Sequence, residues 1–281
     1  MHACEILQRA RILRTNEKMT RMTQLRIGLS MLFCLGEGFP LMLEHLEDLN
    51  VHYVELVDDG LHALDEKRVE ALNHVAGSFN VEYTIHAPFS DINIAATDNK
   101  LRRFMLKRLE KSLKYAHQLD CKLWVFHPGF RSAISSFYPG MAWHTNLQSV
   151  RRLLQLSREY NVKIGIENIP EIFPTLLGSV DDFSKFYENL GEDVGMVLDV
   201  GHANVNGHLR AFMNKFGEKI VHMHVSDNTG KQDSHLAVGK GTVDWQDFAR
   251  AVRRIQFRGI VMIESIEDAK QSLETLTHLL S

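Results

Sequence analysis

Cysteine is scarce in this sequence: Cys4, Cys34 and Cys121 are three in number and show no CxxC spacing. An odd, unspaced set argues against a closed disulfide framework and a thiolate zinc site, and fits a reducing cytoplasm. Net charge is nearly absent as well. The 32 Lys and Arg stand against 35 Asp and Glu, a formal charge of -3, so no overall field draws in nucleic acid. No apolar run reaches the roughly 18 residues of a membrane span, and the N-terminus lacks the apolar core of a signal peptide. A membrane partner is therefore not expected. Nor does a GxGxxG follow the first apolar segment, which removes the main signal of an open, doubly wound nucleotide-binding sheet.

What the chain has is a repeating unit. Eight strand-like segments rich in Val, Ile and Leu occupy residues 25–32, 51–57, 81–88, 122–129, 162–170, 195–202, 219–227 and 259–265. Near-continuous apolar content is what parallel strands covered on both faces require. Amphipathic segments lie between them. The clearest is 99–120, where Leu101, Met105, Leu109 and Leu113 recur every four residues among Lys and Arg. Asp244, with Asp247 three positions on, signals a helix start after the seventh strand. Eight such units in about 250 residues predict a single-domain (β/α)8 TIM barrel over 25–281. Residues 1–24, with Arg9, Arg11, Arg14, Lys18 and Arg21 and few acids, read as a basic N-terminal extension. It stands outside the core, or packs against a partner subunit in a homo-oligomer.

In a barrel of this kind the C-terminal strand ends converge on one mouth, where active sites are built. The second segment ends with Glu55, the third with His86, the fourth with His127 and the fifth with Glu167. The sixth carries Asp199 and His202, the seventh His224 with Asp233 and His235 following, and the eighth Glu264. All are ligand types for a hard or borderline divalent ion. With 35 Asp and Glu and 15 His among 281 residues, a run of six or more consecutive strand ends of this kind arises by chance on the order of once in ten thousand. Glu167 in IGIENIP and Glu264 in IVMIES are isolated carboxylates in apolar strands, and burying either unpaired costs several kcal/mol. His86 and His127 each precede a proline, which holds them extended at a strand end. Metal and substrate contact are equally open to them. His222, two residues before His224, reads as a barrel-interior histidine.

The motifs HAPFSDIN, FHPG, GIENIP, LDVGHAN, HVSDN with DSHLAVGKGTVDW, and IVMIES together resemble the xylose isomerase-like TIM-barrel superfamily. That superfamily holds sugar-phosphate isomerases and epimerases and the endonuclease IV repair enzymes. The resemblance spans about residues 25–280. By similarity to the epimerases, Glu167, Asp199, His224 and Glu264 fall on four metal ligands, with Glu167 and Glu264 as the acid/base pair. By similarity to endonuclease IV, His86, His127, His202, Asp233 and His235 join them as ligands of a three-zinc cluster. The sequence departs from both. Asp58 and Asp59 stand where the repair enzyme presents an arginine, Phe89 is only a partial match to its DNA-penetrating aromatic, and no Glu and Arg follow His224 in the epimerase order.

The resemblance thus implies a metal-dependent isomerase or epimerase of a small sugar or sugar phosphate, transferring a proton through an enediolate. It carries one to three ions, zinc or manganese, with magnesium or cobalt as further choices. A zinc phosphodiesterase acting on abasic DNA is the alternative, disfavoured by the acidic balance, and a non-catalytic metal or sugar binder is the third. Glu55 and Lys240 are candidate substrate contacts. The stretch 129–143, GFRSAISSFYPGMAW, is expected to form a lid, with Phe130, Phe137, Tyr138 and Trp143 as its apolar face.

Overall fold

The computed structural model describes residues 25–49 and 51–281. The basic extension, residues 1–24, lies outside the described residues. Eight parallel strands close into a barrel in sequence order: β1 (Arg26–Ser30), β2 (Tyr53–Val57), β3 (Glu82–His86), β4 (Trp124–Phe126), β5 (Ile164–Glu167), β6 (Gly195–Asp199), β7 (Ile220–Val225) and β8 (Ile260–Ile263). β1 pairs with both β2 and β8, which completes the ring. The fold is the (β/α)8 barrel that the repeating pattern predicts.

Each strand is shorter than its apolar run, for local reasons. β3 and β4 stop just short of Pro88 and Pro128, which cannot donate to a ladder. β6 stops at Asp199 because that carboxylate accepts the His202 N–H at 2.6 Å and caps the short helix Val200–Val205, the sixth in chain order (α6). His202 therefore rides on a helix, not on the strand that its sequence position suggests.

The outer layer begins with α1 (Phe39–Asp48), α2 (Glu66–Phe79), α3 (Asn99–Gln118), α4 (Met141–Tyr160) and α5 (Val180–Leu190). After α6 come α7 (Leu209–Phe216), α8 (Trp245–Arg254) and α9 (Ala269–Leu280). On α3 the row Met105, Leu109 and Leu113 is buried, but Leu101 is exposed at the first turn. Asp98 caps that helix through the Lys100 and Leu101 N–H groups. Asp244 caps α8 at the Asp247 N–H, while the Asp247 carboxylate pairs with Arg210 and Arg250 instead of closing a capping box.

The core lies between barrel and helices, with Trp124, Phe126, Phe183, Phe186, Phe212 and Phe248 fully buried there. Inside the barrel a small apolar group, Leu123, Val125 and Val197, fills the lower layer. Gly165 is required beside it, since a Cβ there would stand 2.7 Å from Val197 Cγ2. Polar residues take over toward the C-terminal end: His222 is level with Val197, and His224 with Asp199 and Met262. Two residues apart, both histidines project to the barrel interior. Among the described residues no helix is long and apolar enough to cross a membrane. Cys34 and Cys121 are free thiols.

Candidate metal centre

The strand ends bring nine side chains together at the mouth, and they sort into three groups. Glu167, Asp199, His224 and Glu264 each offer one ligand atom, all lying within 4.8 Å of one another. His86, His127 and Glu167 form a second such group, and His202, Asp233 and His235 a third. Glu167 belongs to two. Its Oε1 is 3.3 Å from His224 Nδ1, and its Oε2 is 3.4 Å from His86 Nε2 and 3.3 Å from His127 Nε2. His224 Nδ1 also lies 3.4 Å from Glu264 Oε2. Asp233 Oδ2 sits between His202 Nε2 at 3.1 Å and His235 Nε2 at 3.0 Å.

Depth separates these residues. The side chains of His224, Glu167 and Asp199 are 0–1% exposed, whereas those of His127, Asp233 and His235 are 15–17% exposed. The latter three form a rim over a sealed floor.

Backbone carbonyls fix how most of the rings face. His86 Nδ1 is 2.9 Å from the Ala87 carbonyl, His202 Nδ1 is 2.8 Å from that of Asn168, and His235 Nδ1 is 3.0 Å from that of Glu264. A carbonyl only accepts, so each Nδ1 carries a proton and each Nε2 is the atom presented to the centre. His235 pays for its place with left-handed backbone, φ 45°, normally unfavourable for a residue with a Cβ. Its carbonyl accepts the Ile266 N–H at 3.0 Å, so the end of β8 holds it from both sides.

The charges are closely coupled. Burial opposes ionisation of Glu167, but His224, His127 and His86 hold its carboxyl well below the usual range. Burial pushes Glu264 up to about 7 against the pull of His224, with Glu167, Glu55 and Asp199 adding to the rise. Burial likewise raises Asp199. For His202 burial acts against the charge, yet Asp199 and Asp233 push the imidazole up to about 10. Asp233 raises His235 to about 9 in the same way, also against its burial.

A divalent cation fits this donor set. Glu167 Oε2, Asp199 Oδ2, His224 Nδ1 and Asp233 Oδ1 are buried without a hydrogen-bond partner. Leaving such atoms unmet costs about 1–3 kcal/mol each, and all are oxygen or imidazole donors suited to a borderline ion.

Of the two expected substrate contacts, Glu55 lies fully buried beneath the mouth against His222 and His224. Lys240 is exposed, outside all three groups, with its N–H on the Ala237 carbonyl. The expected lid divides. Ala133–Phe137 forms a 3-10 turn with Phe137 77% and Tyr138 50% exposed, and Phe130 bridges to Thr175. Trp143 departs from the expectation: it sits in the first turn of α4, donates to Asn189 at 3.0 Å and faces Lys185. Both partners belong to α5, so its ring anchors the helix shell.

The family model described as xylose isomerase-like TIM barrel matches residues 43–280. The chain belongs to this family. An uncharacterized protein of Methanocaldococcus jannaschii is 32% identical over 85% of this chain and 92% of its own length. A probable endonuclease 4 of Mycoplasma pneumoniae is 24% identical over 66% of this chain and 68% of its own. A crystal structure of a D-tagatose 3-epimerase-like protein superposes with TM-score 0.85 at 27% identity, covering 91% of this chain and 97% of that one.

In this xylose isomerase-like barrel, Asn168 and three acids outside the ligand groups do much of the positioning. Asn168 clips β5 to β6, accepting the Asp199 N–H at 2.8 Å and donating to the Asp199 carbonyl at 3.1 Å. Its signal was a polar residue directly after a buried glutamate. Asp227, which looks like a ligand in sequence, instead organises the loop after β7: it accepts from the N–H groups of Asn228, Gly239 and Val243 and from Trp245 Nε1. Asp58 is buried in a bidentate pair with Arg108, at 2.7 and 2.9 Å. Asp59 accepts the N–H groups of Gly60, Phe89 and Ser90. These two acids are thus neutralised or bonded within the fold.

Proposed function

We propose that the chain is a divalent-metal-dependent isomerase or epimerase of a small sugar or sugar phosphate. The observation that carries this reading is the pair Glu167 and Glu264, which flank His224 Nδ1 at 3.3 and 3.4 Å within one four-residue group with Asp199. The neighbouring imidazoles hold the Glu167 carboxyl well below the usual range against its burial, whereas burial pushes Glu264 up to about 7. Such a contrast suits a base and an acid working in one cycle. Glu167, Asp199, His224 and Glu264 would hold the ion, which when bound polarises a substrate carbonyl and its neighbouring hydroxyl. Glu167 would remove the proton beside the carbonyl, and Glu264 would return one at the adjacent carbon or the opposite face. His127, Asp233 and His235, at the accessible rim, would bind substrate hydroxyls. The likeness to a D-tagatose 3-epimerase-like protein supports this chemistry.

A second reading is a three-metal phosphodiesterase. It is favoured by the completeness of the other two groups, which gives nine ligands in three sets, and by the likeness to a probable endonuclease 4. The internal bonding of Asp58 and Asp59 also weakens the objection that they would repel a nucleic acid backbone.

Solvent deuterium incorporation into a panel of ketoses, aldoses and their phosphates, run beside nicking of abasic duplex DNA, separates the two. Exchange without nicking and one ion per chain is the expected result. Nicking without exchange, with three zincs per chain, would overturn the first reading in favour of the second.

A further inference from the structure

His224 is bonded unlike the other rings. His86, His202 and His235 give Nδ1 to a backbone carbonyl and present Nε2. His224 does the reverse: Nε2 meets the Glu55 carboxylate, at 3.2 Å from Oε1 and 3.4 Å from Oε2, while Nδ1 faces Glu167 and Glu264. His224 projects into the barrel between β6 and β8, and its acceptor comes from across the barrel. β2 supplies it in Glu55, level with Thr84 of β3, whose Oγ1 donates to Glu55 Oε2 at 3.0 Å. His222 Nε2 stands 3.4 Å from the same oxygen. A carboxylate at 0% exposure is retained only where its partners compensate for lost hydration.

We propose that Glu55 is a positioning residue: it accepts the Nε2–H of His224 and thereby fixes Nδ1 as the atom offered to a divalent ion, with the Thr84 hydroxyl holding the carboxylate in place. This rests on the reading that Glu167, Asp199, His224 and Glu264 hold a metal. A carboxylate behind a ligating imidazole fixes its tautomer and raises its basicity, and losing such a partner weakens metal binding about 10–100-fold. Glu55 itself is too deep to touch substrate, so its effect travels through the imidazole.

The test is zinc titration of the full-length protein against a chromophoric chelator, comparing wild type with Glu55→Gln and Glu55→Leu. The proton resonance of His224 Nε2–H in the zinc-loaded proteins is followed by long-range ¹H–¹⁵N correlation. Gln can still accept the Nε2–H but without charge, so its affinity should fall about 10-fold and the resonance should move. Leu removes the acceptor, and its loss should approach about 100-fold. If the Leu variant does not fold, the Gln variant decides alone. A loss under about fivefold, or an unmoved His224 resonance, overturns the inference. Wild-type protein that takes up no zinc overturns the metal reading and this inference with it, whereas normal wild-type uptake with an unaffected Glu55→Gln overturns the inference alone.

Discussion

His202 turns its Nδ1 to the Asn168 carbonyl and its Nε2 to Asp233, whereas His224 turns its Nδ1 to the acids of the mouth and its Nε2 to the barrel floor. The two rings are therefore held by different parts of the fold: one by the segment just after β5 and the loop after β7, the other by a side chain across the barrel. Each is locked before any ligand arrives, which is the condition for tight coordination without reordering.

Removal of metal should lower stability. Ligand at a thousand times its dissociation constant adds about 4 kcal/mol to the folded state. Protein treated with a strong chelator should melt several degrees below zinc-loaded protein in calorimetry. Coincident melting curves would count against a centre built from these groups.

Glu264→Gln should lower deuterium exchange by at least about 100-fold, since it removes both a general acid and a ligand charge. His235→Asn should cost much less, and asparagine tolerates the left-handed backbone at φ 45°, so only the imidazole is lost. Steady-state kinetics on both variants check this ranking. Equal damage at His235 would point to the three-metal reading.

Arg108→Ala should destabilise the barrel by about 3 kcal/mol, because Asp58, fully buried, would lose a bidentate partner and be left as an uncompensated charge. Urea denaturation followed by circular dichroism reads the change. A loss below about 1 kcal/mol would show that water or another cation replaces the guanidinium.

Asp59→Asn should destabilise at pH 7 and much less in acid. Burial works against the Asp59 charge, but the N–H groups of Ser90, Phe89 and Gly60 hold its carboxyl below the ordinary value. A folded pKa below the unfolded one, about 3.9, stabilises above that unfolded value and is lost as pH falls through the folded one. The difference between wild type and variant should be about 1 kcal/mol at pH 7, allowing for half-exposure. It should shrink below about pH 4, which a pH series of urea midpoints would show.

The barrel was legible because alternating apolar runs and amphipathic helices encode it locally, and the ligand types at strand ends were legible because apolar strands rarely carry isolated Glu or His. Orientation was not. Nothing in VHYVELV shows that Glu55 lies beneath the mouth, since that depends on a histidine 169 positions away. Asp227 and Asp233 are equally plausible ligands in sequence, yet one is consumed by backbone N–H groups of its own loop and the other stands between two imidazoles. Trp143 misled because an aromatic in a long connection reads as lid, while the helix that claims it begins two residues earlier, at Met141.

The pairing of β1 with β8, from Arg26 opposite Ile260 to Leu29 opposite Ile263, joins the first described strand to the last. During synthesis the ring cannot shut until residues 260–263 have emerged, so β1 and β7 wait with open edges. Such long-range closure is slow and leaves edges prone to pairing with other chains. It also orders events in time: Glu264 emerges after every other member of the central group, so a nascent chain cannot assemble the complete four-residue cage.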